Sequence, residues 1–134
     1  MIQILRWVKN NTDDIKYIGI HDDEYYINID SLDKIIEEGN KHQYFISGYY
    51  LWKKAEYQSQ KKFNGSFSPY FSGWCVIYNK ELINEILNDT NISYTGSIMG
   101  NAEDLQTGEW INRVIKKTGK KVFMYESNDI LNNI

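Results

Sequence analysis

Ile15-Lys16-Tyr17-Ile18-Gly19-Ile20-His21-Asp22-Asp23-Glu24-Tyr25-Tyr26-Ile27-Asn28-Ile29 is the stretch on which the reading of this chain turns. The apolar run from Ile15 to Ile20 reads as a buried strand, and it delivers three consecutive acids to its carboxyl end. An aromatic and aliphatic run resumes directly behind them. Three adjacent carboxylates repel one another and lose hydration near a sheet, and a divalent cation offsets that cost most directly. Alternate residues of an extended chain point the same way, so Asp22 and Glu24 are expected to converge on one ion while Asp23 turns aside. Oxygen ligands of this kind suit Mg2+, Mn2+ or Ca2+ rather than zinc. The competing reading is an acidic surface turn that holds no ligand.

Outward from this stretch the pattern alternates between strand and helix. Upstream, Ile2, Leu5 and Val8, with Ile4 and Trp7 beside them, predict a short and heavily buried helix over 2–9, followed by a polar turn from Asn10 to Asp14. Downstream, Asp30 or Ser31 caps a helix to about Glu38, with Leu32, Ile35 and Ile36 inward and Gly39 as its stop. Tyr44 to Leu51 reads as a strand, and 52–67 as a long loop of the kind that is functional or mobile. After Ser68-Pro69-Tyr70-Phe71-Ser72-Gly73, the run Trp74 to Tyr78 is a strand. Asn79 caps the next helix, which turns Leu82, Ile83, Ile86 and Leu87 inward. A polar, glycine-punctuated stretch, 88–101, leads to a helix opening at Ala102-Glu103-Asp104-Leu105 with Leu105, Ile111, Val114 and Ile115 inward. Gly119 ends it, Lys121 to Tyr125 is the last strand, and the tail is polar. The expectation is an α/β fold in one domain spanning 1–134.

Composition bounds the function. With 42% hydrophobic, 25% charged and 15% aromatic residues the chain is globular rather than disordered. A net charge of −3 with scattered Lys-Lys pairs argues against nucleic acid as a partner. No stretch approaches the roughly 20 apolar residues of a membrane span, and the N-terminus lacks the order of a signal peptide, so the chain reads as soluble. The single cysteine, Cys75, sits in an apolar run and is expected to be a small buried residue rather than a nucleophile.

Three stretches in fixed order resemble one family. Asp22-Asp23-Glu24-Tyr25-Tyr26-Ile27-Asn28-Ile29-Asp30-Ser31-Leu32 resembles the motif of beta-1,3-galactosyltransferases and Fringe-like enzymes, in which three aspartates precede an aromatic, an aliphatic, an Asn and a leucine-containing helix start. Ser68-Pro69-Tyr70-Phe71-Ser72-Gly73 with Val76-Ile77-Tyr78 is similar to that family's Pro-Pro-Tyr, Ser-Gly and following strand. Glu103-Asp104-Leu105-Gln106-Thr107-Gly108 is similar to its Glu-Asp-Val with a glycine four positions after the Asp.

The resemblance implies a glycosyltransferase A fold, with a mixed central sheet flanked by helices. It also implies an inverting hexosyltransferase that moves galactose or N-acetylglucosamine from a UDP-sugar donor to a carbohydrate or glycoprotein acceptor. Under it, Asp22 and Glu24 hold Mn2+ (or Mg2+), with Glu24 at the main ligand position and Asp23 toward the donor. Asp104 is the general base with Glu103 beside it, and Tyr70, Ser72, Gly73 and Trp110 lie on the acceptor side. From the residues alone, Glu103-Asp104 reads as an acidic first helical turn, Ser72-Gly73 as a plain turn, and Tyr70 and Trp110 as core packing, although aromatic rings also stack on sugars.

The chain departs from the family pattern as well. Glu24 replaces the third aspartate and moves its carboxylate outward by roughly an ångström. Trp74 and Cys75 stand where the family has small residues, which narrows the acceptor side. No histidine occurs from Ser127 to Ile134, where the family often completes its metal shell, and His21 is expected to face away from Asp22. One helix and one strand precede the acidic motif where family members have several units. The sequence is therefore expected to lack most of the nucleotide-binding half and to leave a sheet edge for a second copy or a partner chain. The alternative function is an inactive sugar-binding or interaction module that keeps the fold without turnover.

Overall fold

Side chains that alternate across a pleated strand give a sheet two apolar faces, and each face needs its own covering layer. The structure, a computed structural model, describes residues 2–12, 14–52, 68–89 and 103–133, with the side chains of all of these except 2, 103–105 and 133. Its elements are α1 (Ile2–Asn11), β1 (Tyr17–His21), β2 (Tyr25–Ile27), α2 (Ile29–Gly39), β3 (Phe45–Gly48), β4 (Leu51–Trp52), β5 (Tyr70–Phe71), β6 (Cys75–Asn79), α3 (Lys80–Leu87), α4 (Glu103–Thr118), β7 (Phe123–Glu126) and β8 (Leu131–Asn133). The central sheet runs β1-β6-β3-β7. Its first two pairings are antiparallel and the last, β3 with β7, is parallel. The fold is thus α/β with a mixed central sheet, as the sequence implied.

Ile18, Ile20, Ile46, Val76, Tyr78 and Met124 form one face, closed by Leu5 of α1, the Leu82–Ile83–Ile86 stripe of α3, and Trp110, Ile111 and Val114 of α4. The other face, with Tyr17, Phe45, Cys75, Ile77 and Phe123, packs on Leu32 and Ile35 of α2 and on Ile130. Among the described residues no helix is long and apolar enough to cross a membrane.

Several expectations are corrected by this packing. The first helix buries a single stripe around Leu5, while Ile4 and Trp7 face solvent. The strand after it is half-buried rather than buried, because β1 lies at the sheet edge. The cap of α2 is Asn28, whose side chain accepts from the Ser31 amide, so Asp30 falls inside the first turn. Gly39 is the last residue of α2, and its role is close approach. A Cβ there would stand 2.7 Å from the Tyr17 hydroxyl and 3.0 Å from a Phe45 ring carbon. The stretch from Tyr44 to Leu51 is not one strand, since β3 ends at Gly48 and Leu51 begins a short ribbon with β5. The polar tail contains β8, which pairs with β2. Ile115 is on the exposed side of α4. Gly119 does end that helix, with φ of 68° in the left-handed region. The 53–67 part of the expected loop and residues 90–102 lie outside the described residues.

Asn79 joins the sheet to α3. Its Oδ1 accepts from Leu82 N at 3.1 Å and from Phe45 N at 3.2 Å, and its Nδ2 donates to Gln43 O at 2.8 Å. The residue is buried, so truncation strands two backbone groups away from water and also removes a cap. Asn79→Ala is expected to cost about 2–4 kcal/mol in urea unfolding, against about 1 kcal/mol for Asn28→Ala, which loses a cap on a half-exposed surface.

Candidate active site

The carboxyl ends of β1, β3 and β7 and the start of β6 share one end of the sheet, since His21 is opposite Cys75 and Gly48 is opposite both Val76 and Glu126. All three sequence motifs gather there. The Asp22 amide donates to the Trp74 carbonyl at 3.0 Å and ties the acidic stretch to the segment before β6. That segment is tied in turn to α4. At Gly108 a Cβ would lie 2.8 Å from the Pro69 carbonyl oxygen and 2.9 Å from that of Ser68. The helix therefore packs directly on this backbone, and the glycine of the third motif is a contact requirement. Glu109 Oε1 also accepts from Ser68 N at 3.4 Å.

Asp22, Asp23 and Glu24 are all exposed, and their carboxylates accept no hydrogen bond among the described residues. Asp23 and Glu24 form the turn between β1 and β2, so extended-strand alternation does not govern where their carboxylates point. Among the described residues no group of three or more His, Cys, Asp or Glu side chains is arranged to hold a metal ion. What the acidic turn presents is three exposed carboxylates, oxygen donors of the type that hard cations take. The His21 ring meets the Asp22 carbonyl at 2.7 Å through Nδ1. Glu103 and Asp104 open α4, and their side chains lie outside the described ones.

The acceptor-side candidates divide. Tyr70, Ser72 and Trp110 are buried, and Gly73 is half-buried in the turn before β6. Ser72 Oγ and Trp110 Nε1 are buried and have no hydrogen-bond partner among the described residues. Trp74, by contrast, is 46% exposed. Its ring centroid lies 6.4 Å from that of Tyr25 and 5.6 Å from that of Tyr49. The sequence reads Trp74 as the start of a strand and as a residue that narrows the acceptor side, whereas β6 begins at Cys75; Tyr49, an aromatic near the end of an expected strand, carries no further signal. Glu126 was also missed; its Oε2 accepts from Leu51 N at 2.7 Å and pins β4 at the same end. Cys75 is buried as expected, and burial pushes its thiol up to about 11, which removes it as a nucleophile near neutral pH. A polar cavity of about 330 Å³ between Lys16, Asn40, Gln43 and Glu81 lies at the opposite end of the sheet, away from all three motifs.

Acids thus follow the end of β1, a Glu-Asp pair opens α4, and Trp74 is exposed beside the acidic turn. The galactosyltransferase family model matches residues 1–118, and the chain belongs to that family. The match takes in all three motifs and stops at the end of α4. No individual curated protein matches the chain.

Proposed function

We propose that this chain is a nucleotide-sugar-dependent hexosyltransferase, inverting at the transferred carbon, with UDP-galactose or UDP-N-acetylglucosamine as donor. The observation that supports it is the gathering of the three motifs at one end of the sheet through the Asp22–Trp74 hydrogen bond and the Gly108–Pro69 contact. In transfer, the acceptor hydroxyl oxygen forms a bond to the anomeric carbon as the bond to the diphosphate oxygen breaks on the opposite face. The hydroxyl proton passes to a carboxylate, and the electron pair leaves on UDP. Asp22 and Glu24 would hold Mn2+ or Mg2+, which when bound neutralises charge developing on the departing diphosphate. Asp23 faces the donor. Asp104, in the first turn of α4, takes the proton; the helix N-terminus favours its charged form, and neighbouring Glu103 disfavours it, which adjusts its basicity. Asp104→Asn is expected to lower transfer by roughly 10²-fold or more while UDP–Mn2+ binding is kept, and Glu103→Gln to cost less. Near-full transfer by Asp104→Asn would show that the base is another group.

The proposal extends to self-association along β1. The bonds Lys80 N to Lys16 O and Asp22 N to Trp74 O place the even-numbered residues of this strand toward β6. The backbone groups of Tyr17, Gly19 and His21 therefore point out of the edge beside which no strand lies among the described residues. An antiparallel pairing centred on Gly19 sets that residue against its own copy and lets these groups bond across the edge. It also puts Tyr17 opposite His21, Ile18 opposite Ile20, and Lys16 opposite Asp22 of the second copy, so that opposite charges face each other. Sedimentation is expected to give a dimer whose Tyr17, Gly19 and His21 amides are protected from hydrogen exchange, and Gly19→Pro is expected to be monomeric. A dimer that survives Gly19→Pro, or a monomer with these amides unprotected, would contradict the pairing.

A further inference from the structure

Tyr25, Tyr49 and Trp74 come from three separate segments and meet beside the acidic turn, where the motif-derived aromatics Tyr70 and Trp110 are buried. We infer that the Trp74 ring, flanked by Tyr25 and Tyr49, is a stacking platform for the apolar face of a hexopyranose. The indole is 46% exposed, and the Tyr25 and Tyr49 rings beside it widen the aromatic surface that it offers to a ligand. Its surroundings fix it in place. The Trp74 carbonyl accepts from Asp22 N at 3.0 Å, and the chain then enters β6 at buried Cys75. Tyr25 opens β2, which is paired with β8. Tyr49 donates its amide to the Cys75 carbonyl at 3.4 Å and accepts from Asn128 Nδ2 at 2.8 Å.

A platform anchored on four sides binds with little further loss of side-chain freedom. The neighbouring chemistry selects the ligand. Asp22, Asp23 and Glu24 repel an anion in the absence of a cation, yet they accept hydrogen bonds from hydroxyl groups. A pyranose presents C–H groups on one face and hydroxyls around its rim, which matches an aromatic surface bordered by carboxylates. The class of ligand rests on the sugar-transfer reading above, and the ring concerned is either the acceptor's or the donor's own hexose.

The test follows the Trp74 indole N–H resonance during titration with methyl β-galactopyranoside and methyl β-N-acetylglucosaminide, alongside calorimetry with UDP and with UDP-galactose in Mn2+. The indole signal is expected to shift saturably with an affinity on the order of 1 mM. Trp74→Ala should weaken glycoside binding about tenfold or more, and Trp74→Phe should restore most of it. Loss of glycoside binding with UDP-galactose affinity unchanged assigns the ring to the acceptor. Weakened UDP-galactose with UDP unchanged assigns it to the donor. Binding that depends on Trp74 in a protein without transfer keeps the platform and removes the enzyme reading. Unchanged affinity for both the glycosides and UDP-galactose in Trp74→Ala, or an indole signal that no glycoside moves, overturns the platform even where transfer is intact.

Discussion

The hydrogen bond from the Asp22 amide to the Trp74 carbonyl closes the β1–β6 ladder at the end of the sheet where the acidic turn, the Trp74 ring and the segment that packs on α4 meet. It converts a sequence separation of some fifty residues into direct adjacency. Among the described residues β6 is the strand that pairs with β1, whose faces pack on α2 through Tyr17 and into the core through Ile18 and Ile20. The acidic turn that follows is held by that ladder, by the short β2–β8 ribbon and by the contact of Tyr25 with Trp74.

Close backbone approach does the remaining positioning. Gly48 lies against the Phe71 ring and the Cys75 carbonyl, where a Cβ would come within 2.8 Å of that oxygen, and Gly108 lies against Pro69 and Ser68. Both glycines therefore act through the absence of a side chain. The consequence for the site is a sharp division of labour between aromatics. Tyr70 and Trp110 fill the interface that α4 makes with β5 and the core, while Trp74 stays at the surface beside the carboxylates.

Much of this was legible in the residues where local chemistry and burial agreed. Asn79 before a run of apolar residues at helical spacing gave the start of α3, and Gly119 gave the end of α4. The acids at the end of the first strand gave the location of the candidate site. The β2–β8 ribbon was not legible, because Asn132 and Asn133 carry no strand signal and are ordered by pairing with Tyr25 and Tyr26 some hundred residues away. The cap at Asn28 was hidden by Asp30, a residue type that suits both the cap and the first turn. The burial of Tyr70 and the exposure of Trp74 were hidden for a related reason: aromatics four residues apart in an irregular segment have no periodicity to sort them. The side chains of Glu103 and Asp104 rest on family position alone.

The central claim is that the acidic turn, the segment before β6 and the first turns of α4 make one site. Paramagnetic broadening by Mn2+ in the presence of UDP tests it most directly. The account predicts selective loss of amide signals from His21 to Tyr25, Ser72 to Trp74 and Gln106 to Gly108, with Gln43, Asn79 and Gly119 at the far end of the sheet left sharp. Broadening centred on the far end, or confined to one of the three motifs, would contradict it.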